Sequence, residues 1–206
     1  MEVVDDYLAE LTRRLQAVLG EELVAVYAAG SYAMGAYEHG RSDIDVTAVV
    51  ERSLSDETKQ ALVIALRHEA LPCPARGLEL VVYPRATVER PTAEPGFELN
   101  LNTGARIDYR ADFAPGEIEG FWFAIDRSIL REHGKPLLGP PPGELFAPIP
   151  RDAIAPVLEE SMRWHGGDTT NNAALNIARS QHFLDTGHWI SKPAAQQLLD
   201  EAQPAP

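Results

Sequence analysis

A chain of 206 residues with a net charge of −13 and 45% hydrophobic residues has the composition of a globular protein of one large or two small domains. The acidic charge disfavours a nucleic-acid partner, because binding to a phosphate backbone needs a basic surface. The single cysteine, Cys73, excludes an intramolecular disulfide and a thiolate zinc cluster. We see neither a signal pattern nor an apolar run of membrane-spanning length, so we expect a cytoplasmic monomer without a membrane partner.

The first part of the chain alternates helical and strand patterns. Apolar residues from Leu8 to Leu19 fall on one helical face, and Gly20 is placed to end that helix. Ser55 is placed to cap a second helix that runs to about residue 68, and a third helical pattern covers residues 118–133. Between these helices we expect four strands, over residues 23–29, 44–50, 77–83 and 97–103.

The second part of the chain begins after residues 139–143, Gly-Pro-Pro-Pro-Gly, which predict a linker without regular structure. Strand signals stop beyond this linker, and three helical stripes follow. The sequence therefore predicts an N-terminal α/β (α+β) domain with a mixed sheet, residues 1–145, and a C-terminal helical domain, residues 146–206, with a cleft between them.

The residues with the clearest chemistry are Gly30-Ser31 and Asp43-Ile44-Asp45, which are separated by eleven residues. Side chains alternate along a strand, so Asp43 and Asp45 point to one face while Ile44 turns into the core. Paired carboxylates suit Mg²⁺, which also binds substrate phosphates. Gly30 and Ser31 lie where a strand ends and a short helix begins, so the backbone N–H groups there can hold a phosphate.

A third carboxylate, Glu79, lies within the apolar strand predicted over residues 77–83. A glutamate in so apolar a strand needs a reason, because a buried charge must be paired or bound to a metal. An isolated Asp-x-Asp would indicate only the exposed start of a strand. The combination of Gly-Ser upstream and Glu79 downstream favours a composite phosphate and metal site instead.

These residues resemble the signature of the nucleotidyltransferase superfamily, which is Gly-Ser, a spacer of this size and then Asp-x-Asp. Members transfer a nucleoside monophosphate from a nucleoside triphosphate to an acceptor. The resemblance implies an enzyme with a nucleotidyltransferase domain, in which Asp43, Asp45 and Glu79 are catalytic and bind two Mg²⁺ ions.

Nearly the whole chain is similar to the aminoglycoside nucleotidyltransferases, antibiotic-resistance enzymes that adenylylate streptomycin and spectinomycin. The similarity includes residues 77–82, residues 121–149 and the helical end. The residues that it implies for ATP are Gly30, Ser31, Ser42, Arg179 and Lys192. The residues that line the acceptor site on this reading are Trp164, Asp168 and Asn172.

Two differences from this family favour a spectinomycin-like acceptor over streptomycin. The segment from Trp164 to Asp168 is shorter than in the streptomycin-modifying members. In addition, residues 104–106, Gly-Ala-Arg, stand where a tryptophan is expected after the strand over residues 97–103.

We therefore expect an adenylyltransferase that moves AMP from ATP to a hydroxyl of a small cationic acceptor, with Glu79 accepting the hydroxyl proton. One alternative keeps the reaction but modifies a protein or a tRNA, as in toxin–antitoxin systems, and the acidic charge weighs against tRNA. Another alternative is a non-catalytic nucleotide-binding module, which the three intact carboxylates disfavour.

Some residues have a plainer interpretation. Asp168 is also a candidate N-cap for the helix that carries Arg179. The three histidines His165, His182 and His188 lack metal-ligand spacing and a cysteine partner, which favours surface or capping roles.

Overall fold

The computed structural model describes residues 2–116 and 120–202, and within them the chain forms six strands, nine α-helices and a short 3₁₀ helix (Gly20–Glu22). The strands are β1 (Leu23–Ala28), β2 (Ile44–Val50), β3 (Leu78–Pro84), β4 (Leu99–Thr103), β5 (Arg110–Asp112) and β6 (Lys135–Leu138). The helices are α1 (Glu2–Leu19), α2 (Gly30–Ala33), α3 (Asp56–Leu66), α4 (Arg85–Val88), α5 (Phe121–His133), α6 (Pro142–Leu145), α7 (Arg151–His165), α8 (Asn171–Thr186) and α9 (Lys192–Ala202).

The six strands form one mixed sheet in the order β5-β4-β3-β2-β1-β6. Strands β2 and β3 are parallel, and every other neighbouring pair is antiparallel. The connection between the parallel strands contains α3, since parallel neighbours need a long crossover and cannot be joined by a tight hairpin.

Helices α1 and α3 cover one face of the sheet. Leu11 and Leu15 of α1 and Leu62 and Leu66 of α3 are fully buried in a single cluster with Ile44 of β2. The inward direction of Ile44 confirms the predicted alternation at the start of β2.

The opposite face of the sheet is covered only in part. Val49 and Tyr83, near the ends of β2 and β3, pack in one cluster with Phe123 of α5. Residues two apart share a face, so Asp45 and Glu79 lie on this same face, at the beginning of the strands. Both carboxylates are only partly buried, which makes this end of the face the accessible one.

Helix α5 connects the sheet to the C-terminal helices. Its residues Ile125 and Ile129 pack with Ile154 and Leu158 of α7 and with Trp189. From residue 146 to residue 202 the chain forms helices and no strand, as the sequence predicts. None of the described helices is both long and apolar enough to cross a membrane.

The main predicted elements are confirmed. Helix α1 ends before Gly20, whose φ is +55°, and the side chain of Ser55 caps α3 by accepting a hydrogen bond from the backbone N–H of Thr58. The four predicted strands form with small shifts at their ends. The helix predicted over residues 118–133 is described from Phe121, and residues 117–119 lie outside the described residues.

The linker prediction over residues 139–143 is wrong in part. Pro142 begins the short helix α6, because a proline in the first turn of a helix loses no hydrogen bond. Leu145, the last residue of this helix, is buried. Helix α4 and strands β5 and β6 are not predicted, since elements of three or four residues carry too little periodicity to be identified. The proposed boundary between residues 145 and 146 stays a prediction.

Candidate active site

The register of the sheet aligns polar residues in a row across four strands. Asp45 of β2 pairs with Glu79 of β3, and Glu79 pairs with Asn102 of β4. Asn102 in turn pairs with Arg110 of β5. Directly paired residues project from the same face of a sheet, so two predicted carboxylates are neighbours there. Asp43 immediately precedes β2, one residue outside the strand.

Gly30 brings the end of β1 into close contact with Asp45. Its φ is +54°, and a Cβ at this position would lie 1.8 Å from Oδ2 of Asp45. The backbone N–H of Ala29 donates a 2.9 Å hydrogen bond to the carbonyl oxygen of Asp45. Only glycine allows both the left-handed backbone and this approach. Ala29 and Gly30 therefore fix the position of Asp45 against the end of β1.

The carboxylates of the row repel one another. Burial, followed by the charges of Glu79 and Asp43, raises the pKa of Asp45. Burial, followed by the charges of Asp43 and Asp126, raises the pKa of Glu79. Both shifts have the sign expected when the charged form is desolvated and faces like charge. A bound cation would relieve this repulsion, and a carboxylate of raised pKa is a stronger proton acceptor.

Helix α5 contributes a fourth carboxylate, Asp126, to which the sequence analysis assigns no role. Asp126 is open to solvent on one side, although the surrounding protein still desolvates it. This desolvation, and then the charge of Asp45, raises the pKa of Asp126 to about 7, while Arg179 and Lys192 oppose the shift. The available sequence signal is weak: Asp126 is the only acidic residue between positions 121 and 130.

Two cations of the C-terminal helices act on these carboxylates, since the charges of Lys192 and Arg179 oppose the rise in the pKa of Asp45. Nε of Arg179 donates a 2.7 Å hydrogen bond to the carbonyl oxygen of Ile190, and Nη2 lies 3.6 Å from Sδ of Met34, at the end of α2. Desolvation, and then the charge of Arg179, lowers the pKa of Lys192, the first residue of α9, while the three predicted carboxylates oppose this shift. The structure thus brings together the carboxylates and cations that the sequence predicts for one site.

The two predicted serines differ in what they contact. Oγ of Ser31, in α2, is buried and has no hydrogen-bond partner among the described residues. Oγ of Ser42 accepts a 3.0 Å hydrogen bond from the backbone N–H of Glu38 and so stabilises the turn before β2. A buried hydroxyl without a partner costs free energy unless a ligand satisfies it, which makes Ser31 the better candidate for a phosphate contact.

The predicted acceptor residues lie at the end of α7, in the loop that follows and in the first turn of α8. Trp164 is 48% exposed, and its ring meets that of Trp122 with 5.2 Å between centroids. Asp168 is exposed and accepts hydrogen bonds from the backbone N–H and the hydroxyl of Thr170, at 2.8 and 2.9 Å. Thr170 itself caps α8, by accepting from the N–H of Ala173. The interpretation of Asp168 as the N-cap is therefore wrong, because Thr170 caps the helix and Asp168 only accepts hydrogen bonds from Thr170.

The surface interpretation of His165 is also wrong. Its side chain is 3% exposed, and its ring lies 5.4 and 4.9 Å from the rings of Trp122 and Trp164. Desolvation lowers the pKa of His165, the charge of Lys192 adds to this shift, and the charge of Asp168 opposes it. Asn172 is exposed in the first turn of α8.

The donor set of the row fits Mg²⁺, because carboxylate oxygens are the hard ligands that this ion prefers. Within residues 2–116 and 120–202, no three His, Cys, Asp or Glu side chains are close enough to hold a metal ion on their own. Magnesium commonly binds through one or two carboxylates and takes its remaining ligands from phosphates and water. The arrangement is therefore one that would hold the ion together with a nucleotide.

The chain has relatives among known proteins. No protein-family model matches the chain. An aminoglycoside (3'')(9) adenylyltransferase from Klebsiella pneumoniae is 28% identical over 218 aligned positions, which cover 98% of this chain and 80% of that protein. A relative of the same name from Rhizobium radiobacter is 30% identical over 183 positions, or 80% of this chain and 64% of the relative. The chain is a nucleotidyltransferase similar to the aminoglycoside adenylyltransferases.

This nucleotidyltransferase also shares its fold with a solved structure, the spectinomycin adenyltransferase AAD(9) from Enterococcus faecialis with ATP and spectinomycin. The two chains superpose with a TM-score of 0.73 at 19% identity, over 98% of this chain and 84% of the other. The predicted fold class and the predicted resemblance are thereby confirmed. The roles assigned to individual site residues stay predictions.

Proposed function

We propose that this nucleotidyltransferase transfers AMP from ATP to a hydroxyl of an aminoglycoside-type antibiotic and so confers resistance. The row of Asp45 and Glu79, faced by Arg179 and Lys192, is the observation that carries the proposal. Four carboxylates and two cations in one cleft suit a nucleotide whose phosphates need both a divalent ion and direct positive charge. The names of the relatives support an aminoglycoside as the acceptor.

The reaction assigns a separate task to each group. Asp43 and Asp45 would hold two Mg²⁺ ions, and these ions supply charge neutralisation at the α-phosphate and at the leaving pyrophosphate. Glu79 accepts the proton of the acceptor hydroxyl, whose oxygen then forms a bond to the α-phosphorus. The bond from that phosphorus to the bridging oxygen breaks, and pyrophosphate leaves. Arg179 and Lys192 bind phosphate oxygens from the opposite side of the cleft.

The acceptor binds between the sheet and the aromatic cluster. Trp164 offers a half-exposed ring on which a sugar or cyclitol can pack, and Asp168 offers an exposed carboxylate to an ammonium group. Glu79 lies within the carboxylate row and receives the reacting hydroxyl. We favour a spectinomycin-like acceptor over streptomycin, because of the short segment between Trp164 and Asp168.

A pyrophosphate-release assay with ATP, Mg²⁺ and a panel of aminoglycosides tests the proposal. We expect release that requires both an aminoglycoside and Mg²⁺, and an adenylylated antibiotic with a mass increase equal to one AMP less water. The Asp45→Asn variant is the control for contaminating activity, because it should bind the acceptor without catalysing transfer. If no aminoglycoside of the panel stimulates pyrophosphate release but a protein or a tRNA does, the assignment of the acceptor is wrong.

A further inference from the structure

A polar cavity lies directly beside Glu79, on the side of the row away from Asp45. It has a volume of about 440 Å³, and the residues that line it are Arg76, Glu79, Asn102, Ala105, Arg106, Ile107 and Asp108. Because Asn102 is the direct register partner of Glu79, this cavity continues the row past the predicted base. A molecule whose hydroxyl contacts Glu79 from the side opposite the nucleotide must extend into this space.

Two glycines hold the wall of the cavity in place. A Cβ on Gly104 would lie 2.4 Å from Cα of Gly77, and a Cβ on Gly77 would lie 2.2 Å from Cδ1 of Ile107. The backbone N–H of Arg106 donates a 3.1 Å hydrogen bond to the carbonyl oxygen of Arg76. The loop after β4 is thus packed against the start of β3 as closely as the backbone allows. The cavity is a consequence of this packing.

The arginines of the cavity share it with two carboxylates, Glu79 and Asp108, and the charge of Arg76 opposes the rise in the pKa of Glu79. Across the described ranges, neither Arg76 nor Arg106 forms an ion pair or donates a side-chain hydrogen bond. Both side chains are exposed, so their guanidiniums are solvated and accessible to a ligand. Guanidinium donors bind oxygen atoms and repel ammonium groups.

We propose that Arg76 and Arg106 form an acceptor subsite that binds the oxygen-rich part of the acceptor. The ring that bears the reacting hydroxyl points its other oxygens, as hydroxyl, carbonyl or ether groups, toward the two guanidiniums. The ammonium groups of the acceptor then lie at the far end, near Trp164 and Asp168. This orientation determines which hydroxyl reaches Glu79, and it rests on the proposed function.

The kinetic test uses Arg106→Gln, with Arg90→Gln as the matched control, because Arg90 is an exposed arginine that does not line the cavity. We expect Arg106→Gln to raise the KM for the acceptor about tenfold, the cost of a lost charge-assisted hydrogen bond, while the KM for ATP stays the same. Arg90→Gln should change neither constant. An unchanged acceptor KM in Arg106→Gln, or an equal rise in both KM values, would overturn the proposal.

A second test does not depend on the identity of the acceptor. At saturating ATP and Mg²⁺, inorganic sulfate should raise the melting temperature of the wild type and of Arg90→Gln, but not that of Arg106→Gln. If the aminoglycoside panel yields no product but sulfate still raises the melting temperature only in the proteins that keep Arg106, the proposed acceptor is wrong and the anion-binding subsite is confirmed. If sulfate acts equally on all three proteins, or only when ATP is absent, the subsite is refuted whatever the acceptor is.

Discussion

The two sides of the cleft are built by different physical means. On the sheet side, Asp45 and Glu79 are held by the register of paired strands, in which a shift of either strand by one residue would turn its carboxylate to the other face. On the helical side, Arg179, Lys192 and Asp168 project from helices and a loop that are positioned by side-chain packing and by hydrogen bonds that involve side chains. We therefore expect the sheet side to determine the chemical step and the helical side to determine binding.

The largest effect should come from Glu79→Gln. The substitution keeps the shape of the side chain but removes the proton acceptor, so turnover should fall by about 10²–10⁴-fold while ATP·Mg²⁺ still binds. Calorimetric titration with ATP·Mg²⁺ beside a turnover assay measures both quantities. A collapse of ATP affinity with substantial residual turnover would make Glu79 a metal ligand and not the base.

A similar loss of turnover is expected for Asp45→Asn and Asp43→Asn. Removing one anionic ligand weakens Mg²⁺ binding and misplaces the α-phosphate, and such a misplacement alone costs about 10²-fold in rate. The melting temperature of the metal-free protein should hold or rise, because the neutral amide relieves the repulsion that raises the pKa of Asp45. Near-normal turnover in either variant would show that the substituted aspartate is not a Mg²⁺ ligand.

A pair of glycine variants tests whether the sheet side depends on close contact. Gly30→Ala places a Cβ against Asp45, whereas Gly40→Ala adds a Cβ at a φ of +84° with no atom within 4 Å. Both changes cost backbone strain of about 1–3 kcal/mol. We expect only Gly30→Ala to lose transfer in excess of its loss of stability, as turnover and melting temperature together would show. Equal behaviour of the two variants would mean that Gly30 serves the turn alone.

On the helical side, Lys192→Gln should act on nucleotide binding. The loss of one cation facing the carboxylates and phosphates should raise the KM for ATP about tenfold, with a smaller change in kcat. Arg163→Gln is the control, because Arg163 is exposed on α7 and forms no described ion pair. A fall in kcat at unchanged KM would show that Lys192 acts in the chemical step, and the division between the two sides would fail.

The smallest effect is expected for Asp168→Asn. An asparagine can still accept a hydrogen bond from Thr170, so the start of α8 should keep its stability. Because Asp168 is exposed, its contact with an ammonium group is screened, and acceptor affinity should fall by at most about tenfold. Asp152→Asn, an exposed position in the first turn of α7, is the matched control. If the affinity for every acceptor is unchanged, Asp168 only stabilises the start of α8 and does not bind the acceptor.

The sequence by itself determined the parts of the site that depend on neighbours along the chain. Alternation along β2 placed Asp45 on the face opposite Ile44, and the break after β1 identified Gly30. The signature also led from these residues to Glu79 and to the fold class. These inferences succeed because a strand repeats every two residues and because a turn of positive φ requires glycine.

Only the tertiary structure decided which distant residues share the cleft. The sequence near Asp126 and His165 indicates no role in a site. A single acidic residue on a helix is common, and a single histidine without metal-ligand spacing favours a position at the surface. The packing of α5 against α7 buries His165, and the register of β3 with β4 creates the cavity beside Glu79. Such contacts join residues far apart in the chain, so their positions follow from how whole elements pack and not from any local period.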